Sequence, residues 1–344
     1  MLFVGMDVHK DSTVFDLFDP TVEPSRQHRT ISVATTREGI ESVLKPLNKD
    51  CKVAFEVGLQ AQQIASIVRP LAAEVQVANP SRIPWLFRDG RKNDKIDARK
   101  LSTLLYMDQI PCVHLPRAEV STWRSLINHR CSLIRQRTRA KNQIRFILRS
   151  AMLRCRFRSL WTRKGLDWLK CQAFDAGREA ILRRLIIQLQ LFDFHLLQLE
   201  EELDQIALGH PAVAHLRTIP GIGPRCAEAI VAYTDDIRRF NRGRQFASYF
   251  GMTPTQDASG LVNRHGHISK RGPSVVRWVL VEAAHQVLRH CGVMRHYFNR
   301  MWRGSRDRYK KAIVATGRKL LTIMFAMLRD GTQFDPARLV RPAA

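Results

Sequence analysis

Four carboxylates in the first hundred residues stand where an acid is costly unless something neutralises it. Asp7 ends the apolar run Leu2-Phe3-Val4-Gly5-Met6, and Glu56 follows a second run, Val53-Ala54-Phe55. A carboxylate on a buried strand needs a cation or hydrogen-bond donors beside it. Asp94 and Asp97, in DKIDARKLSTLLYM, are three residues apart, so on a helix their side chains share one face. Brought together, the four make a hard-oxygen ligand set suited to magnesium, or to manganese. Two such ions held ~3.5–4 Å apart stabilise the attacking and leaving oxygens of phosphoryl transfer. Any one of these acids alone reads equally well as a solvated charge or a helix cap, Asp94 above all, because Asp is a favoured N-cap.

The second chemical candidate is a serine. The polar stretch TQDASGLVNRHGHISKRG contains Ser259 and Ser269 among Arg264, His265, His267, Lys270 and Arg271. Ser259 precedes Gly260, which predicts a mobile loop that lets its hydroxyl approach a phosphate. A serine hydroxyl becomes a nucleophile only when a base or metal activates it and nearby cations neutralise the developing charge. Turn formation is the ordinary role of a loop serine. Ser269, beside Lys270 and Arg271, is the second candidate.

These groups need a scaffold. Residues 1–112 read as an α/β domain: strands near 2–8, 13–18, 28–33, 52–57 and 74–78, with helical spacing over 59–71 and over 94–107. Residues 117–164 hold 14 Lys or Arg against the single acid Glu119, with no Pro or Gly, and predict a basic helix. Arg135, Arg139, Lys141, Arg145 and Arg149 lie on it; the last three recur at i, i+4 and i+8, where like charges repel unless phosphates face them. From 178 to 208, Leu182, Leu185, Leu189, Phe192, Leu196, Leu199, Leu203 and Ile206 step alternately by three and four, a heptad seam. Residues 113–210 therefore predict a coiled-coil arm, either folded back on itself or joining two subunits. Residues 211–335 predict a mostly helical domain, and 336–344 a fraying tail. In IPGIGPRCAEAI, Gly221 and Gly223 allow a tight turn that exposes N–H groups at the next helix start, as in a helix-hairpin-helix motif.

Composition names the partner class. Across 344 residues, 56 Lys+Arg outnumber 31 Asp+Glu, a formal net charge of +25. Such self-repulsion is relieved by a polyanion, and nucleic acid is the fitting one. The seven cysteines never form a CxxC pair, which excludes a zinc ribbon and points to a reducing compartment. No apolar run approaches a membrane span, and the N-terminus has no signal-peptide pattern, so a cytoplasmic protein without membrane partners is expected.

Strand Asp, later-strand Glu, then a helical Asp pair is the order of an RNase H-like fold of the RuvC resolvase type. With Gly5-Met6-Asp7 and Lys10, Phe55-Glu56, Asn79-Pro80, Lys92 to Arg99, Ile219 to Pro224, Gly251 to Pro254, Ser269 to Gly272 with Arg277, and Lys310 to Leu320, the chain resembles the DEDD transposases of the insertion-sequence one-ten family. The resemblance covers nearly the whole chain. It implies a recombinase guided by a bridge RNA, magnesium held by Asp7, Glu56, Asp94 and Asp97, and Ser259 as the nucleophile that forms a covalent phosphoserine with DNA. It also implies phosphate contacts from Lys10, Lys270, Arg271 and Arg277, and a dimer-to-tetramer in which subunits share active sites. Three rival readings remain: a site-specific invertase, a junction endonuclease that hydrolyses DNA with metal-activated water, and a non-catalytic nucleic-acid-binding protein.

Overall fold

The computed structural model describes residues 1–82, 93–259 and 262–339. The chain divides into two compact units, Met1–Ala118 and Glu119–Ala344.

The first unit is a five-stranded mixed sheet. The strands are β1 (Leu2–Val8), β2 (Ser12–Phe18), β3 (His28–Ala34), β4 (Lys49–Glu56) and β5 (Ala72–Ala78), in the order β3-β2-β1-β4-β5. The predicted hairpin is present: β1 and β2 are antiparallel, as are β2 and β3, while β4 runs parallel to both β1 and β5. Helices α1 (Arg37–Leu44) and α2 (Ala61–Val68) cover one face, burying Val4, Met6, Phe15, Val53 and Phe55 with Ile40, Leu44, Ile64 and Val68. Alternate residues point to the other face, where α3 (Asp94–Tyr106) packs Leu101, Leu104 and Leu105 on Ala54 and Ala78. A mixed sheet of this kind is consistent with an RNase H-like domain.

The second unit is helical, apart from one ribbon. Helices α4 (Ala118–Ser150) and α6 (Ala176–Leu208) run antiparallel, with α5 (Arg163–Lys170) across their far end. Arg130 pairs with Glu200 and Arg137 with Asp193 across them. Near that far end Ala140, Ile144 and Leu148 of α4 are buried with Leu182, Leu185 and Leu189 of α6. At the root, Trp123, Ile127 and Cys131 join Leu196, Leu199 and Leu203 in the core of the remaining helices. Those are α7 (Pro211–Arg217), α8 (Pro224–Thr234), α9 (Gly243–Tyr249), α10 (Ser274–His290), α11 (Gly292–Trp302) and α12 (Arg306–Asp330). The expected division at 210/211 falls inside the second unit, and the core at the root of the hairpin draws residues from both sides of it.

Two expectations are corrected. The basic helix does not continue to 164 but stops at Ser150. Met152 takes φ 58°, and the bonds from Met152 N to Arg149 O and Leu153 N to Leu148 O close a Schellman end without a glycine. Ser259 is not in an open loop: it ends β6 (Pro254–Ser259), paired antiparallel with β7 (Val262–Ile268) through Ser259 and Val262. The ribbon escaped sequence reading because both strands are polar and carry no apolar alternation. Gly260, Lys92 and the tail from 340 to 344 lie outside the described residues, as do the side chains of Ser259 and His265.

Candidate metal centre and nucleic-acid surfaces

β1 and β4 bring two of the four predicted acids side by side. Their parallel pairing runs to Met6–Phe55, and the next residues are Asp7 and Glu56. Both fall on the face that α3 covers, because Gly5 and Ala54, two residues earlier, lie under that helix. The third element arrives through a missing side chain. A Cβ at Gly5 would overlap the Ala98 carbonyl oxygen and come within 2.6 Å of the Ser102 nitrogen, so only glycine lets α3 settle directly on β1.

That contact sets the first turn of α3 over the end of β1. Asn93, not Asp94, caps the helix: its side chain accepts from Lys95 N at 3.0 Å, leaving the Asp94 carboxylate to face the sheet end. Asp94 and Asp97 both lie in the first helical turn, where the macrodipole favours negative charge by roughly 0.3–1 kcal/mol each. Lys100 Nζ stands 3.8 Å from Asp97 Oδ1.

His9 completes the cluster. Its Nε2 is 3.1 Å from Asp7 Oδ2 and 3.4 Å from Asp94 Oδ1. Ligand atoms of Asp7, His9 and Asp94 all lie within 4.8 Å of one another. Burial pushes the Asp7 carboxyl above its usual range; His9 opposes this, and the charges of Asp94 and Asp97 add to it. A half-buried carboxylate with two further carboxylates close by is what a divalent cation relieves, so the donor set fits one. His9 was missed in the sequence because it lies one residue past the end of β1, where no apolar pattern marks it.

A buried polar network steadies this floor. Asp16, on β2, is fully buried; its Oδ2 lies 2.7 Å from His28 Nδ1 and accepts from Ser102 Oγ of α3 at 2.5 Å. Asp16 was visible as the lone acid in the apolar run Val14-Phe15-Asp16-Leu17-Phe18. Lys10 is exposed in the turn between β1 and β2.

The predicted basic contacts of the second unit are distributed unequally. Arg135, Arg139 and Arg149 are exposed on α4, whereas Lys141 and Arg145 lie 5.0 and 5.2 Å from the centre of the Trp161 ring. A groove of about 960 Å³ is lined by Arg135, Arg139, Asn142, Gln143, Phe146 and Trp278, among others, with Phe146 71% exposed. Lys270 and Arg271 are exposed; Arg277 Nη1 donates to the carbonyls of Arg271 and Gly272 at 2.9 and 3.0 Å, bracing the loop that Lys270 opens at φ 54°. Ser269 is half-buried, and its N–H bonds Thr253 O at 2.8 Å. Gly221 turns at φ 92° against the α10 backbone, and Gly223 caps α8 with open space where a side chain would be.

Comparison with known proteins follows this geometry. The family described as "Transposase IS116/IS110/IS902 family" matches residues 213–299, and the IS110-type DEDD model, described as "Transposase", matches residues 4–153. The chain is 29% identical over 293 residues to "Probable family 20 transposase" of Pseudomonas aeruginosa, covering 83% of this chain and 86% of that one. It is 28% identical over 219 residues to "Transposase for insertion sequence element IS1111A" of Coxiella burnetii, covering 62% and 60%. To "Transposase for insertion sequence element IS1328" of Yersinia enterocolitica it is 26% identical over 298 residues, covering 83% and 86%. Among the described residues no helix is long and apolar enough to cross a membrane.

Proposed function

The chain belongs to the IS110/IS116/IS902 family of DEDD transposases, enzymes that act on DNA, and from that premise we propose that it exchanges DNA strands with a serine nucleophile and a magnesium site. The observation that carries this reading is the convergence of Asp7, Asp94 and His9 within 4.8 Å, with Glu56 on the strand position next to Asp7 and Asp97 close enough to bear on the Asp7 proton. Asp7, Glu56, Asp94 and Asp97 would hold magnesium, or manganese, which would supply positive charge against a scissile phosphate.

The chain's own residues do the rest. Asp7 and Glu56 are fixed by the sheet, and Asp94 and Asp97 by the α3 contact at Gly5, so the acids are placed before DNA binds. Ser259 supplies the nucleophile: its Oγ–P bond forms as the bond from phosphorus to the leaving sugar oxygen breaks, and the proton given up by the serine hydroxyl ends on the departing oxygen. The bond energy kept in the phosphoserine permits rejoining to a new strand. Lys10, Lys270 and Arg271 contact phosphates. Gly221 and Gly223 present backbone N–H groups to a further phosphate, in the manner of a helix-hairpin-helix motif. The antiparallel α4–α6 arm serves as a coiled coil that holds a structured guide RNA by shape and charge along Arg135, Arg139 and Arg149. Assemblies of two to four copies act on the element ends and the target.

The deciding experiment mixes purified protein, guide RNA and end DNA with Mg²⁺ and looks on a denaturing gel for a covalent protein–DNA adduct. We expect the adduct with wild type, its loss with Ser259→Ala, and its retention with Ser269→Ala. Full strand cleavage by Ser259→Ala would sink the serine route and leave hydrolysis by metal-activated water.

A further inference from the structure

The turn after β1 adds a nitrogen to a set of oxygen donors. His9 is none of the four acids expected to hold the metal, yet its backbone is pinned from both sides. Its N–H donates to Ser12 O at 3.0 Å, and Thr35 Oγ1 donates to the His9 carbonyl at 2.9 Å. Thr35 is held in turn, its hydroxyl 2.8 Å from that of the fully buried Thr13 on β2. With the backbone tied to the sheet, only the two side-chain torsions place the ring. The side chain is 46% exposed, so the imidazole has room to point into water. Instead Nε2 lies beside both carboxylates, 3.1 Å from Asp7 Oδ2 and 3.4 Å from Asp94 Oδ1.

Given the metal site assigned above, on which this rests, we propose that His9 Nε2 is a further ligand of that site and makes it prefer a first-row transition dication such as Mn²⁺ to magnesium. The spacing is that of ligands sharing one ion. An octahedral ion about 2.1 Å from each donor separates neighbouring donors by about 3.0 Å, and both spacings of Nε2 from the carboxylates lie close to that edge. Donor atoms of Asp7, His9 and Asp94 all fall within 4.8 Å of one another, so one ion can reach all three. The nitrogen then decides between ions. Magnesium is ordinarily held through one or two carboxylates and retained waters, and gains little from an imidazole. First-row transition ions accept imidazole, and Mn²⁺ among them also suits an octahedral set rich in carboxylate oxygen. With Glu56 and Asp97 the donors outnumber those of a tetrahedral zinc site. A histidine serving only as a counter-ion to Asp7 would act in the opposite sense, because its positive charge would compete with the metal.

Calorimetric titration of nuclease-treated full-length protein with MnCl₂ and with MgCl₂, joined to pulsed EPR of the bound Mn²⁺, tests this. Wild type should bind Mn²⁺ at least about tenfold more tightly than Mg²⁺, and its EPR signal should carry the modulation of a directly bound nitrogen. His9→Ala should weaken Mn²⁺ by about tenfold, change Mg²⁺ by less than about threefold, and lose that modulation. His9→Asp, which returns an oxygen donor to the position, should keep Mg²⁺ and lose the preference. His9 is exposed in a turn, so both variants should fold, with circular dichroism as the check. Equal affinity of wild type for the two ions overturns the proposal. So does nitrogen modulation that survives His9→Ala, or a His9→Ala protein that binds Mn²⁺ as well as wild type or better, the mark of a counter-ion. Wild type that binds neither ion, or Mn²⁺ binding untouched by Asp7→Asn, would remove the metal site itself and the role of His9 with it.

Discussion

Gly5 and Ala98 touch backbone to backbone, with the Ala98 carbonyl oxygen in the space a Cβ on residue 5 would need. Through this contact a strand acid and a helix acid reach the same place. The Gly5→Ala protein should lose about 1–3 kcal/mol of stability from overpacking against an immovable main chain. Because α3 must lift to relieve the clash, divalent-metal affinity should fall along with it. Urea unfolding and Mn²⁺ titration measure the two; loss of stability with undiminished Mn²⁺ affinity would disconnect this packing from the site.

Asp7→Asn removes the acid at the end of β1, whose carboxyl pKa is raised by burial. Strand cleavage should drop by about a hundredfold or more, since no other residue stands at the end of β1 to replace it. Wild type should also melt higher with Mg²⁺, by about 2.7 kcal/mol of added stability at a hundredfold excess over Kd, and Asp7→Asn should not. A thermal scan with and without Mg²⁺ separates lost metal binding from lost folding.

Asn93→Ala tests whether the cap aims Asp94. Losing the bond from Lys95 N should cost about 1 kcal/mol. The larger effect is expected on metal affinity, because the freed helix end attracts the Asp94 carboxylate as a substitute cap. Equal metal binding by Asn93→Ala and wild type would show that Asp94 holds its position unaided.

Glu228, in the second unit, provides a pH prediction. It is 1% exposed on α8, 3.3 Å from Arg225 Nη1, and burial pushes its carboxyl from 4.5 up to about 7 despite Arg225 and Arg130. The folded state therefore binds this proton more tightly than the unfolded chain, so stability falls as pH rises from about 4.5 to 7 and the penalty is complete above 7. Glu228→Gln should be more stable than wild type at pH 8, by about 2 kcal/mol, with no gain at pH 4.5. Urea midpoints at the two pH values decide it.

The parts legible in the sequence were those with a period. The strand runs around Val4, Phe15, Val53 and Val77 and the α6 seam follow from apolar spacing, and the four acids stood out as charges on apolar strands or at a helix start. What escaped has no periodic signature. α4 ends at Ser150 because Met152, a residue with no turn preference, turns left-handed and hydrogen bonds to Leu148 and Arg149 close the helix. The β6–β7 ribbon is polar on both faces. Gly5 reads as part of a strand until α3 lies against it. Asn93 stands next to an Asp that is an equally good cap, and only backbone geometry tells which one is used.

The shared core at the root of α4 has a consequence for synthesis on the ribosome. The strands and helices of the first unit have all been made once residue 118 has emerged. Trp123, Ile127 and Cys131 are made next, yet their core also contains Leu320, Met324 and Met327, some 200 residues later. At about 5–20 residues per second those side chains wait roughly 10–40 s for their partners. The nascent chain thus carries a fully synthesised first unit and a basic helix whose apolar face is still unclosed, and shielding that face from its neighbours is what the cell's chaperones would have to do.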